Sequence, residues 1–189
     1  TSSLIEEIRK LGQQKIVIGG PGADHYNSYY MNLGLAVPDE IILGDGDEAL
    51  VSLLKGEPIK KTYYYLKDLS NLPIPDYSDI KWSEYSDSPV KVPITGSRGC
   101  VRKCTFCDVK HYWPSFRYRS GKEIAEEMAY LFYQHGYKTF GFTDSLINGS
   151  LKAFRELCTE LKRGNIPTTW NGQFICRSAK QMPETLWAD

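Results

Sequence analysis

The sequence predicts an α/β protein built on parallel β-sheet, and three observations predict it. Short β-branched runs end in glycines, as in "KIVIGG" and "EIILGDG". Amphipathic helical stretches follow such runs, as "DEALVSLLKG" follows "EIILG" and "SLKAFRELCTELKRG" follows "KTFGFTD". The runs are continuously apolar rather than alternating, the pattern of strands covered on both faces. Strand, glycine turn and helix in repetition imply parallel strands joined by helical crossovers.

Element by element, the chain starts in a helix. Ser3 with Glu6 has the spacing of a capping box, Leu4, Ile8 and Leu11 fall on one face, and Gly12 is a natural stop. "KIVIGG" is a buried strand. Ile41–Leu43 is the next strand, Gly44–Asp47 a turn, and Glu48–Leu54 a helix stopped by Gly56. Only two strands are visible in this part, fewer than a stable open sheet usually has. Residues 57–90 carry four prolines and no sustained period, and Pro73 and Pro75 favour an extended path; this stretch reads as a linker ordered by its aromatics.

Regular alternation resumes at "KVPITGSRGC". Val92–Thr95 is a strand. Ser120 and Glu123 cap a helix whose Ile124, Met128 and Leu131 share a face and which Gly136 ends. "KTFGFTD" is the next strand, and the following helix places Phe154, Leu157, Cys158 and Leu161 on one stripe, so Cys158 belongs to the core. "TTWNGQFICR" is a third strand, with Trp170 in the core. "MPETLWAD" opens a third helix. Both ends look cut, so the sequence reads as a segment of a longer polypeptide.

Composition narrows the function. Lys plus Arg and Asp plus Glu number 23 each, so zero net charge argues neither for nucleic acid nor for an anionic membrane. No run of eighteen apolar residues exists to span a bilayer, and "TSSLIEEIRK" is not a signal peptide. Five cysteines, an odd count with three clustered, make a poor disulfide framework and fit the cytoplasm.

The clustered cysteines carry the chemistry. "GCVRKCTFCD" spaces Cys100, Cys104 and Cys107 as C-x3-C-x2-C directly after a predicted strand, with Arg98, Arg102 and Lys103 around them. Thiolates are soft anionic ligands suited to zinc or iron–sulfur clusters, and neighbouring cations favour them. Zinc would take a fourth ligand from Cys176, His111 or His135, none at a usual zinc spacing. A thioredoxin-like "CTFC" pair leaves Cys100 unexplained. A chance grouping of structural cysteines is the third alternative.

The C-x3-C-x2-C pattern, with Phe106 just before its last cysteine, resembles the radical S-adenosylmethionine superfamily over residues 91–189. The resemblance implies the first half of a partial (β/α)6 TIM-like barrel. It implies that Cys100, Cys104 and Cys107 hold a 4Fe–4S cluster whose fourth iron is left for S-adenosylmethionine. One electron, from a reductant such as flavodoxin or ferredoxin, then cleaves the cofactor to methionine and a 5′-deoxyadenosyl radical that attacks a small-molecule or otherwise unknown substrate. Phe106 would lie by the adenine. The glycine-rich stretch that meets the methionyl ammonium in the family is replaced here by "GFTDSLIN", which offers Asp144 and, secondarily, Ser145; a turn or capping aspartate is the competing reading. On the third strand Gln173 and Arg177 would face the barrel mouth, Arg177 toward the cofactor's carboxylate or else toward solvent. Cys176 reads as a buried apolar cysteine, with a place facing the cavity as the alternative. The rival function is an iron–sulfur electron-transfer or structural metal-binding protein that never cleaves S-adenosylmethionine.

The N-terminal part has a second resemblance. "KIVIGGPGADHY", "GDGDEAL" and "NLPIPDY" are similar to the end of the Rossmann-like, cobalamin-binding-like domain that precedes the radical domain in some family members. The implied organisation is residues 1–57 for the C-terminal part of that domain, 58–90 for a linker and 91–189 for the half-barrel. The reaction classes this resemblance implies are radical methylation, cyclisation or rearrangement. Gly19, Gly20, Gly22, Gly44 and Gly46 allow tight turns that either cradle a cofactor tail, cobalamin included, or serve the fold alone. "GPGADH" completes neither a dinucleotide fingerprint nor a P-loop, and Asp24-His25-Tyr26 does not match the D-x-H-x-x-G cobalt-ligand motif.

Overall fold

In the computed structural model, residues 2–23, 31–59, 63–85, 91–178 and 180–181 are described. The chain folds as two compact units, Thr1–Leu66 and Lys67–Asp189. The third helix read from residues 182–189, and His25 with its neighbours, lie outside the described residues.

The first unit is a parallel three-stranded sheet. Its strands are β1 (Val17–Gly19), β2 (Glu40–Gly44) and β3 (Tyr63–Tyr64), in that order, with Val17 opposite Glu40 and Leu43 opposite Tyr63. The helices are α1 (Ser2–Lys10) and α2 (Asp47–Leu54). β3 comes from the stretch read as linker: its two residues are too few to show a strand pattern. Its pairing explains Gly44. That residue has φ +81°, and a Cβ there would lie 2.1 Å from the Tyr64 carbonyl oxygen. Gly44 therefore serves the close approach of β3. Asp45, buried, accepts from the Leu66 N–H at 2.7 Å and ties the same turn to the end of the unit.

α1 corrects two expectations. It begins at Ser2, so Ser3 lies inside the helix and is not its cap. Its buried face is Ile5 with Ile8, packed on Ile16, Ile18, Ala36 and Ile41, while Leu4 and Leu11 are exposed. Both stripes are helical in period; the one facing β1 and β2 wins because it meets apolar neighbours.

The second unit holds the larger core. β4 (Val92–Ile94), β7 (Thr139–Phe142) and β8 (Thr169–Asn171) form a parallel sheet in the order β4-β7-β8, with Ile94 opposite Phe142 and Thr139 opposite Thr169. A two-residue antiparallel pair, β5 (Ser97–Arg98) with β6 (Arg117–Tyr118), stands beside it. Between β5 and β6 lies one turn of helix, α3 (Val109–Tyr112). α4 (Gly121–His135) leads into β7, and α5 (Leu151–Gly164) joins β7 to β8. α4 has the capping box expected: Ser120 Oγ accepts from Glu123 N–H, the Glu123 carboxylate accepts from Ser120 N–H, and Gly136 closes the helix in the left-handed region. Such a cap is worth about 1 kcal/mol. Ile124, Met128 and Leu131 meet Phe154, Leu157 and Cys158 over Val92, Ile94, Phe140 and Phe142. Trp170 packs on this core as expected. At Gly121 the two helices nearly touch: a Cβ would sit 2.1 Å from the Leu157 nitrogen.

Part of the stretch read as linker belongs to this unit. Tyr77 donates to the Pro93 carbonyl at 2.9 Å and stacks at a tilt on Trp82, whose indole N–H donates to Tyr137 Oη at 3.2 Å. Burial raises the Tyr77 hydroxyl above its ordinary pKa.

Candidate functional site

The site is assembled from the segments that leave the carboxyl ends of β4, β7 and β8, the edge where parallel α/β sheets place their chemistry. β4 does not run straight into the cysteines. Thr95 and Gly96 intervene, and Ser97–Arg98 then pair with Arg117–Tyr118, so residues 99–116 form an excursion closed at its neck by a short ladder. Gly99 makes the neck possible. Its φ is +91°, and a Cβ would lie 2.5 Å from the Ser115 carbonyl oxygen. Arg98 and Arg117 lie over the Trp113 ring at 5.7 and 5.2 Å from its centre, cation–π contacts that brace the loop. Phe116 stacks on Tyr118 and fills the space beside Gly149, where a Cβ would come within 2.5 Å of its ring.

The neck is anchored to the sheet by buried charge. Arg119 donates its backbone N–H to the Gly96 carbonyl at 2.8 Å and Nη1 to the Thr95 carbonyl at 3.1 Å, and pairs with Glu127 of α4. Both side chains are buried.

Within the excursion Cys104 is exposed, Cys100 and Cys107 are partly exposed, and all are free thiols. Cys100 Sγ accepts from the Arg102 N–H at 3.3 Å, and Cys107 N–H donates to the Cys104 carbonyl at 3.3 Å. The three sulfurs are not gathered: among the described residues no three His, Cys, Asp or Glu side chains stand together to hold a metal ion. The donor set nevertheless suits an iron–sulfur cluster. Three soft thiols stand on one eight-residue stretch open to solvent, a backbone N–H already points at one sulfur, and Arg102 and Lys103 lie between the cysteines. Phe106, at the tip, is 88% exposed.

The segment after the central strand β7 holds both flanks. Asp144, 4% exposed, accepts from the Gly96 N–H at 2.9 Å and from the Ser97 hydroxyl, so one carboxylate grips the neck of the cysteine excursion. Burial pushes its carboxyl up from the ordinary value, and those hydrogen bonds work in the opposite direction. A cavity of about 10 Å³ beside it, bounded by Ser97, Phe116 and Ile147, has room for about one water. Ser145 is half-buried.

Four residues on, Asn148 is fully buried. Its Nδ2 donates to the Ile175 carbonyl at 2.9 Å, and its Oδ1 accepts from the Ile175 N–H at 2.8 Å. Its own carbonyl accepts from Arg177 Nη2 at 3.3 Å, and Ile147 N–H donates to the Gln173 carbonyl at 2.9 Å.

This arrangement revises the third strand. β8 ends at Asn171, so Gln173 and Arg177 lie beyond it, on a segment held by side-chain and loop hydrogen bonds instead of a ladder. Gln173 is exposed, and Arg177 is partly buried with Nε out of solvent and, among the described residues, without a hydrogen-bond partner. Cys176 is exposed, contrary to the expectation of burial, because the irregular path after Asn171 breaks the inward alternation a strand would impose. Cys158 is buried as expected, and burial raises its thiol above the usual range.

Sequence reading missed Ser97, Arg119, Glu127 and Asn148. Glu127 carried a legible signal: it lies on the inward side of α4 near Ile124 and Met128, where a charge calls for a partner. Asn148 precedes Gly149 and reads locally as a turn.

No protein-family model matches the chain. An anaerobic magnesium-protoporphyrin IX monomethyl ester cyclase of Cereibacter sphaeroides is 28% identical over 155 residues, 68% of this chain and 25% of that protein. The cyclase of the same name from Rubrivivax gelatinosus is 30% identical over 108 residues, 56% of this chain and 19% of its own length. A cytidylyl-2-hydroxyethylphosphonate methyltransferase of Streptomyces wedmorensis is 28% identical over 131 residues, 63% of this chain and 24% of its own. The chain thus spans about a quarter or less of the relatives it matches. These relatives are radical S-adenosylmethionine enzymes, and the chain's similarity to them supports that superfamily. Cyclases and a methyltransferase are the particular members it resembles.

Proposed function

We propose that this chain carries the cluster-binding part of an enzyme that uses S-adenosylmethionine and a 4Fe–4S cluster for radical cyclisation or methylation, with rearrangement as a related outcome. The single observation that carries the reading is the excursion 99–116: three free, solvent-accessible cysteines spaced C-x3-C-x2-C, fixed at its neck to the end of β4. Cys100, Cys104 and Cys107 are the ligands in this reading. When bound, the cluster supplies one electron to the sulfonium of S-adenosylmethionine, which yields methionine and a 5′-deoxyadenosyl radical.

The chain's own residues prepare that site. The ladder of β5 with β6, Arg119 and Asp144 hold the neck, so only the tip needs to move to gather the sulfurs. Arg102 and Lys103 compensate the negative charge of three thiolates and sulfide. Exposed Phe106 offers a flat apolar surface to the adenine. Arg177 offers its guanidinium to a carboxylate, and Gln173 and Ser145 are further polar contacts on the same edge. Asp144 serves first to hold Gly96 and Ser97; any contact with the methionyl ammonium adds to that.

The same reading takes β4, β7 and β8 with their helices as the first half of a partial (β/α)6 barrel. The first unit is then the end of a cobalamin-binding-like domain. There Gly44 is taken up by β3, which leaves Gly20 and Gly22, both with positive φ and open space around them among the described residues, to border a cofactor. No helix among the described residues is long and apolar enough to cross a membrane; oxygen-sensitive cluster chemistry suits the cytoplasm, with flavodoxin or ferredoxin as reductant. The test is turnover by the full-length protein, reconstituted anaerobically with iron and sulfide. Release of 5′-deoxyadenosine from S-adenosylmethionine under reduction, lost in Cys104→Ala, supports the reading; a loaded cluster with no release overturns it.

A further inference from the structure

The connection between Asn148 and Arg177 is not explained by packing alone. Asn148 is fully buried on the segment that leaves the central strand, yet its amide faces the backbone of Ile175 and makes a two-point pair with it. That pair replaces the ladder β8 would have formed had it continued, because β8 stops at Asn171. The Asn148 carbonyl then accepts from Arg177 Nη2 at 3.3 Å. The Asn148 side chain therefore fixes the backbone two positions before Arg177, while its backbone carbonyl, which a substitution keeps, holds one corner of the guanidinium. The arginine's Nε is buried and has no hydrogen-bond partner among the described residues, a donor whose desolvation is uncompensated until something accepts from it. A guanidinium held at one corner, with a donor to spare, is preorganised for a carboxylate.

We propose that Asn148 is a positioning residue that presents Arg177 to the carboxylate of an amino-acid-bearing ligand at the carboxyl edge of the sheet. The assignment rests on the proposed function for the identity of that ligand, S-adenosylmethionine. It separates Asn148 from Asp144, which works on the other flank, at the cysteine neck.

The test is equilibrium binding of two probes to the anaerobically reconstituted full-length protein. S-adenosylhomocysteine carries the carboxylate; 5′-methylthioadenosine keeps the adenosine and thioether and lacks the amino-acid group. Arg177→Met is expected to weaken S-adenosylhomocysteine about tenfold or more, the cost of one charged hydrogen-bonding group. Asn148→Ala is expected to weaken it about fivefold or more, with 5′-methylthioadenosine within about twofold of the parent for both variants. In the double variant the two losses do not add, because both act through one guanidinium. Unchanged 5′-methylthioadenosine binding is also the check on folding. If Asn148→Ala loses its helical signal, Asn148→Ser, which keeps a small donor and acceptor, carries the same comparison. Equal weakening of both probes, or additive losses in the double variant, overturns the role of Asn148. A parent protein that binds neither probe overturns the proposed function and this inference with it.

Discussion

Removing the Asp144 carboxylate is the most informative single change in the second unit. Asp144→Ala strips the acceptor from the Gly96 N–H, 2.9 Å away, and from the Ser97 hydroxyl. Ser97 is buried, and Gly96 is packed between Ile124 and Asp144. Each buried donor left unpaired costs about 1–3 kcal/mol, so the pair costs about 2–5 kcal/mol. For a chain of this size each kcal/mol lowers the melting temperature by about 2–4 °C, a fall of about 4–20 °C. Asp144→Asn behaves differently. Its carbonyl accepts from Gly96, its amide donates to the Ser97 oxygen, and no charge is buried, so the loss is within about 1 kcal/mol. The pH dependence separates the two further. Burial raises the folded Asp144 pKa above its unfolded value, so the folded state binds the extra proton. This carboxyl's contribution to stability is therefore full below the unfolded pKa, near 3.9, and declines as pH rises through the folded value. Asp144→Asn removes that decline. Thermal denaturation followed by circular dichroism from about pH 4 to 7 reads both effects. An Asp144→Ala protein melting within about 1 °C of the parent would refute the clamp.

Three further outcomes follow from the geometry. Gly99→Ala must place a Cβ against the Ser115 carbonyl at positive φ, a cost of about 2–4 kcal/mol borne by the neck; the reconstituted variant is expected to retain less iron while keeping its helical signal. Glu127→Ala strands a buried guanidinium and should lower stability to urea by about 3–5 kcal/mol, whereas changing Glu127 and Arg119 together to Met recovers most of it. In the metal-free protein, iodoacetamide is expected to label Cys100, Cys104, Cys107 and Cys176 and to reach Cys158 only on unfolding, a pattern peptide mass spectrometry resolves; labelling of Cys158 in the folded protein contradicts the packing of α5.

What was legible in the sequence was local and periodic. The capping box of Ser120 with Glu123, the stop at Gly136 and the stripe of Phe154, Leu157 and Cys158 depend on residues three or four apart, and the fold uses them as read. The cysteine spacing was equally legible, because one loop carries all three thiols. What escaped were features defined by distant partners. Tyr63–Tyr64 and the ladder of Ser97–Arg98 with Arg117–Tyr118 are two residues long, too short for any period. Leu4 and Leu11 shared a helical stripe with Ile8, but the neighbouring sheet chose Ile5. Asn148 was missed and Cys176 misread for one reason: β8 stops at Asn171, and a buried amide continues the pairing that the sequence "TTWNGQFICR" promised as strand.

The most direct test of the central claim is electron paramagnetic resonance of the reduced, anaerobically reconstituted full-length protein, recorded with and without S-adenosylmethionine. The account predicts a four-iron signal that S-adenosylmethionine alters and that Cys104→Ala abolishes. A four-iron signal indifferent to S-adenosylmethionine, in a protein shown to hold its full iron, would contradict it and leave an electron-transfer or structural cluster in its place.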